Sequence, residues 1–254
     1  MQLVLLTALG VGLATVIGAF IGFFLKKIPH RFNDAVMGFA AGVMLAAAVL
    51  GLIVPSMEYG GNHGVWITII GVMCGAFFLH LMDAFIPHLH ALAGVSCDRE
   101  AHPECTQSMN RILLFVAAIA LHNLPEGIAA GVGFGTGDVS GALTVAGGIA
   151  LQNIPEGMVI IAPMLAAGIS RKRTFIIAMA TGLVEVVGTL FGYLAVQVAE
   201  AILPFALAFA GGTMLYVIGD EMIPETHSHG YERSATYALL IGFCVMLLMD
   251  FYMG

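Results

Sequence analysis

Apolar runs of roughly 20 residues follow one another along the whole chain, each long enough to cross the hydrocarbon core of a bilayer as a helix. Lipid offers no partner to an open backbone group, so such runs fold as helices with their hydrogen bonds closed internally. Only 10% of the residues are charged and 59% are hydrophobic, where a soluble domain carries about 25% charged residues. The expected fold is therefore an all-α integral membrane protein with little outside the bilayer. The 32 glycines suit helices whose backbones approach closely in lipid. The net charge of −7 gives no reason to expect a nucleic-acid partner.

The hydropathy pattern predicts eight spans, at 2–25, 34–55, 64–86, 109–133, 141–166, 174–199, 203–223 and 234–253, in a single domain over residues 1–254. Lys26, Lys27 and Arg31 fall in the first connection, Arg99 and Arg111 in the third, Arg171, Lys172 and Arg173 in the fifth, and Arg233 in the seventh. These are all nine Lys and Arg residues, and every one lies in an odd-numbered connection. Basic residues mark the cytoplasmic side, so both termini are expected on the extracytoplasmic face. The first run begins at Met1 without a basic leader or a small-residue cleavage site, and is read as a retained span. Cys74 and Cys244 lie in apolar runs and Cys97 and Cys105 share one connection, a distribution that does not suggest a disulfide framework.

Two of the spans carry polar chemistry. "HNLPEG" occupies residues 122–127 of the fourth and "QNIPEG" residues 152–157 of the fifth. The two spans run in opposite directions, as in the inverted repeats of transporters, whose substrate sites lie near the midplane. At about 100° per residue, His122 and Glu126 stack one turn apart with Asn123 on the flank, and Gln152, Asn153 and Glu156 repeat the arrangement. Pro125 and Pro155 withdraw a donor from the carbonyls of Leu121 and Leu151, which predicts interrupted helices at these points. A third acid, Glu185, sits in "TGLVEVVGTLFG" of the sixth span, among the small residues Thr181, Gly182, Gly188 and Gly192.

Three carboxylates at membrane depth need compensation, and no basic residue lies within a span to provide it. Protonation or a bound cation remains. Carboxylate and amide oxygens with one imidazole form a borderline donor set suited to Zn²⁺, with Cd²⁺, Fe²⁺ and Mn²⁺ conceivable. A single His–Glu pair could equally be an interhelical hydrogen bond; two inverted copies plus a third acid argue for a site.

At these residues the chain resembles the ZIP (Zrt/Irt-like) family of divalent-metal transporters, in particular its bacterial GufA-type branch. The resemblance covers nearly the whole chain and includes "GGTMLYVIGDEMIPETH" at the end of the seventh span. It implies a zinc transporter moving metal toward the cytoplasm, in the bacterial inner membrane, as a homodimer. It also implies a binuclear midplane site: His122, Gln152, Glu126 and Glu156 hold one ion, and Asn123, Asn153 and Glu185 complete the other, with the two glutamates bridging. Many members carry histidine where this chain has Gln152 and an acid where it has Asn153, and the family's long histidine-rich loop after the third span is absent.

Secondary constellations lie on the inner side, where an exiting ion would emerge. They comprise His80 and Asp83, then His88, His90, Cys97, His102 and Cys105, and opposite them Asp220, Glu221, Glu225, His227 and His229. They suit a metal relay or sensor, or are solvated helix ends. Glu58 following Pro55 could attract cations at the outer mouth, Asp138 and Glu200 read as solvated ends, and Met37 and Met44 fit a pore-facing stripe or plain packing. "GVGFGTG", residues 131–137, lacks the strand and spacing of a nucleotide loop and reads as a turn. An intramembrane metalloenzyme would need H-E-x-x-H or an equivalent triad, which this chain lacks. A non-transporting metal sensor in the membrane is the other alternative. No organic cofactor is expected.

Overall fold

A computed structural model describes residues 1–24, 29–92, 120, 122–166, 168–198 and 200–253; side chains of 83–92, 163, 166 and 200 lie outside that description. The described chain is helical with short turns: α1 Gln2–Gly22, α2 His30–Tyr59, α3 Gly64–Leu92, α4 122–133, α5 Val139–Ala166, α6 Arg171–Val198, α7 Leu203–Thr226 and α8 Glu232–Met253. Among the described residues, 7 helices are long and apolar enough to cross a membrane. The described part of α4 is shorter than a span.

Burial runs opposite to a soluble bundle. Large apolar side chains such as Leu6, Trp66, Phe191 and Leu248 point outward, as contact with lipid tails requires. The interior between α2, α5 and α7 is filled by small residues, Ala40, Ala46, Ala47 and Ala48, with Met44, Leu52, Ile149 and Met214 closing the gaps. Met44 is thus packing, whereas Met37 lines a cavity.

The helix crossings obey an internal twofold relation. Gly18 of α1 lies against the carbonyl of Ile154 on α5, and Gly188 of α6 against that of Leu124 on α4. One turn on, Gly22 meets the Met158 carbonyl and Gly192 that of Ile128. The same relation joins α2 to α8, where Gly42 meets Leu239, and α7 to α3, where Gly212 meets Val72. Exchanging α1–α3 with α6–α8, and α4 with α5, therefore maps one set of contacts onto the other. The exchanged helices run oppositely: Phe23 at the end of α1 packs near Phe175 at the start of α6. The motif spacing had placed such an inversion in the fourth and fifth spans alone; the packing extends it to the outer helices.

The interruption expected at Pro155 does not occur, and the one at Leu121, ahead of Pro125, falls outside the described residues. α5 continues as α-helix through Pro155, because the backbone on both sides is wedged against α1, Ile154 at Gly18 and Gly157 at the Thr15 carbonyl. Wider π-turns occur in α2 at Val49–Ile53 and in α7 at Ile218–Met222, each two residues before a proline, Pro55 and Pro224. The widened turn relieves the clash between the proline ring and the carbonyl four residues back. α7 has room for it, since nothing lies within 4 Å of where a Cβ on Gly219 would be.

A methyl group at Gly127 would meet the Glu185 carbonyl and push α4 from α6. Gly127→Ala is expected to destabilise the protein by about 1–3 kcal/mol, read as a lowered unfolding temperature in detergent. Gly10→Ala, at a position with nothing within 4 Å, should leave it unchanged or slightly raised.

Candidate metal centre

The motif residues converge where α1, α4, α5 and α6 cross. Asn123, Glu126, Gln152, Asn153 and Glu185 are all buried, with Gln152, Asn153 and Glu185 wholly inaccessible. Burial of this much polarity is tolerable only if it is paired. Glu185 accepts from three donors: Thr15 Oγ1 at 2.7 Å and Asn123 Nδ2 at 2.7 Å on Oε1, and Asn153 Nδ2 at 2.5 Å on Oε2. Each asparagine spends its other amide hydrogen on a backbone carbonyl, Asn123 on Thr181 at 3.2 Å and Asn153 on Val11 at 3.3 Å. Those two carbonyls are themselves equivalent under the internal twofold. Across the crossing, Gln152 Nε2 donates to Glu126 Oε1 at 2.6 Å.

These bonds use both amide hydrogens of each asparagine and leave acceptors. Asn123 Oδ1, Asn153 Oδ1, Glu126 Oε2 and Gln152 Oε1 are buried without a hydrogen-bond partner. An unmet buried acceptor costs about 1–3 kcal/mol, and four oxygens from two adjacent helices are a donor set for a cation. Among the described residues, no three His, Cys, Asp or Glu side chains form a ready metal cluster. The polarity here is half amide, and His122 is engaged through Nε2 with a carboxylate of α7.

His122 Nε2 lies 2.6 Å from Glu221 Oε1 of the α7 π-turn. Both line a cavity of 560 Å³ together with Glu156, Asp220, Glu225, Asn33 and Met37. The cavity opens at the end where α2 begins and α7 ends, the end that also carries Arg31 and Arg233. Sequence spacing kept Glu221 with the inner constellation; the only signal of its pairing with His122 was that "IGDEMIP" parallels "VLGLIVP" of α2 ahead of a proline.

The remaining candidates divide. Glu225 lines the cavity, whereas His80 instead pairs with the Tyr216 hydroxyl at 3.0 Å on the α3–α7 face. Asp83, His88 and His90 lie on α3 with side chains outside the described set, and Cys97, His102 and Cys105 fall outside the described residues. His229 Nδ1 lies 3.0 Å from the buried Asp34 and stacks on His30 with ring centres 4.4 Å apart, while His227 bonds the Ile223 carbonyl and the Thr236 hydroxyl of α8. At the opposite end of the bundle, Glu58, Asp138 and Asp250 line a smaller cavity of 170 Å³. Asp138 also caps α5 through Ser140 N and Gly141 N. Of the expected turn at 131–137, residues 131–133 continue α4, and a single 3₁₀ turn at Phe134–Thr136 closes with Gly137 at φ +79, a conformation open to glycine.

Residues 95–250 match the family described as ZIP zinc transporter. Among curated proteins, zinc transporter GufA of Myxococcus xanthus is 40% identical over 256 residues, 98% of each chain. Zinc transporter ZIPB of Bordetella bronchiseptica is 37% identical over 95% of this chain and 78% of its own length. Zinc transporter ZIP11 of Homo sapiens is 32% identical over 94% of each.

Thr15→Val keeps the shape of the side chain and removes one donor to a buried carboxylate. The ion-free protein should lose about 1–3 kcal/mol, measured as a lower unfolding temperature in detergent with chelator present.

Proposed function

The chain belongs to the ZIP zinc-transporter family, a family of transporters and not of enzymes, and on that premise we propose that it carries Zn²⁺ across the bacterial inner membrane toward the cytoplasm. In this reading eight helices span the bilayer with both termini outside, the unit is a homodimer, and the cargo occupies the crossing of α4 and α5. His122, Glu126, Gln152 and Glu156 provide the main ligands, and Asn123, Asn153 and Glu185 the rest of the polar wall. The observation that carries it is the four buried oxygens of α4 and α5 left without a donor, since a cation in the crossing would offer such acceptors the partner they lack.

The path follows from the two cavities. An ion gathered at the outer mouth by Glu58, Asp138 and Asp250 loses its water where Glu126 and the amides replace it. Glu156 faces the inner cavity and is the next carboxylate on the way out. His122, held by Glu221, stands at the boundary; release of that imidazole from Glu221 passes the ion to the acidic wall of the exit. Alternation between the two openings uses the inverted halves as rigid bodies.

The test is zinc flux into proteoliposomes. Glu126→Gln retains an oxygen to accept from Gln152 but removes the charge, and should cut flux about 100-fold or more at unchanged expression. Undiminished flux in that variant contradicts the assignment. Competition by Cd²⁺, Fe²⁺ and Mn²⁺, with and without a pH gradient, ranks the cargo and reports proton coupling.

A further inference from the structure

The family resemblance would place Glu185 on a second ion, but its hydrogen bonds give it other work. Two lone pairs are available on each carboxylate oxygen, and Oε1 receives both Thr15 and Asn123 while Oε2 receives Asn153. The amides in turn have no freedom. Turning Asn123 over would set its oxygen against Glu185 and the Thr181 carbonyl, and turning Asn153 over would set its oxygen against Glu185 and the Val11 carbonyl. Each reversed amide would face two acceptors with an acceptor. Glu185 thereby forces both amide oxygens away from itself, and both stay without a hydrogen-bond partner, as do Glu126 Oε2 and Gln152 Oε1.

Charge leads the same way. Glu126 and Glu156 together balance one divalent ion. A second would bring two more positive charges into a membrane interior against a carboxylate already committed to three donors. Asn153 is the residue that allows this, because an aspartate there has no hydrogen to give Glu185 and would repel it.

The geometry points to Glu185 as a positioning residue and to a deep site that takes one divalent cation at a time, an inference that rests on reading the α4–α5 crossing as the cargo site. Thr15, which occupies the place on α1 that Glu185 occupies on α6, belongs to the same device. The inverted halves put a hydroxyl opposite a carboxylate, so the twofold-related positions attract instead of repelling.

The experiment counts zinc on the full-length protein in detergent by calorimetry and elemental analysis. The ions lost on going from wild type to Glu126→Gln measure occupancy of the deep site, and one per chain is expected. Asn153→Asp should raise that number to two, as the freed carboxylates admit a second ion. Glu185→Gln should keep one ion but weaken its dissociation constant about 10- to 100-fold, raising KM in flux assays far more than it lowers the maximal rate. The amide hydrogen introduced at position 185 draws Asn153 Oδ1 out of the site. In the double variant Glu185→Gln/Asn153→Asp, the carboxylate introduced at position 153 accepts that hydrogen and offers its second oxygen to the ion, restoring affinity. Two ions in wild type, or Glu185→Gln with unaltered affinity, would overturn the proposal. If Glu126→Gln lost no zinc at all, the cargo site itself would be misplaced.

Discussion

Four helices meet on one carboxylate. Glu185 on α6 takes hydrogen bonds from Thr15 on α1, Asn123 on α4 and Asn153 on α5, and it can do so only because glycines let those backbones touch. Gly12 and Gly182 face each other one turn before Thr15 and Glu185, and the motif glycines Gly127 and Gly157 lie on the carbonyls of Glu185 and Thr15 themselves. Small residues bring the helices together, close approach buries the acid, and the buried acid orients the amides. Remove the glycines and the polar centre has no geometry; remove the acid and two asparagines have nothing to face.

Function enters through the inequality of the halves. A perfectly repeated structure would place identical groups across the axis, two acids repelling or two hydroxyls with nothing to receive. Here the repeat preserves the backbone contacts, Asn123 to Thr181 and Asn153 to Val11, and varies the chemistry. His122, the counterpart of Gln152, lines the larger cavity, and Glu221 on the α7 π-turn meets it. The corresponding π-turn of α2, Val49–Ile53, is apolar and contributes Leu50 and Gly51 to the smaller cavity at the opposite end of the bundle. One half thus lines the larger cavity with ionisable groups, and the other half packs. In the transport reading proposed above, a neutral amide at Gln152 and at Asn153 limits how strongly the centre would hold an ion, which suits a site that must let go.

Much of this was legible in the sequence. The spans, the two motifs and Glu185 stand out because charge is so rare in lipid-facing runs that each polar residue is conspicuous. The position of the interruptions was not legible. A proline announces a lost hydrogen bond but not how the helix absorbs it, and only packing distinguishes Pro155, wedged against α1, from Pro224, with open space at Gly219. The role of Thr15 was hidden for a similar reason. A lone threonine in an apolar helix is inconspicuous until the fold sets it 2.7 Å from an acid 170 positions away. The smaller cavity escaped likewise: Glu58 suggested a cation-attracting mouth and Asp138 a solvated helix end, and only the bundle brings them together with Asp250.

Zinc K-edge absorption on protein loaded with one equivalent of Zn²⁺ tests the central claim most directly, because it reports the donor atoms around the ion. A cargo held at the α4–α5 crossing predicts a shell of oxygen with at most one imidazole nitrogen, at about 2.0–2.2 Å. A sulfur shell near about 2.3 Å, or scattering from two or more imidazoles, would place the ion in the cysteine- and histidine-bearing inner connections and contradict the account.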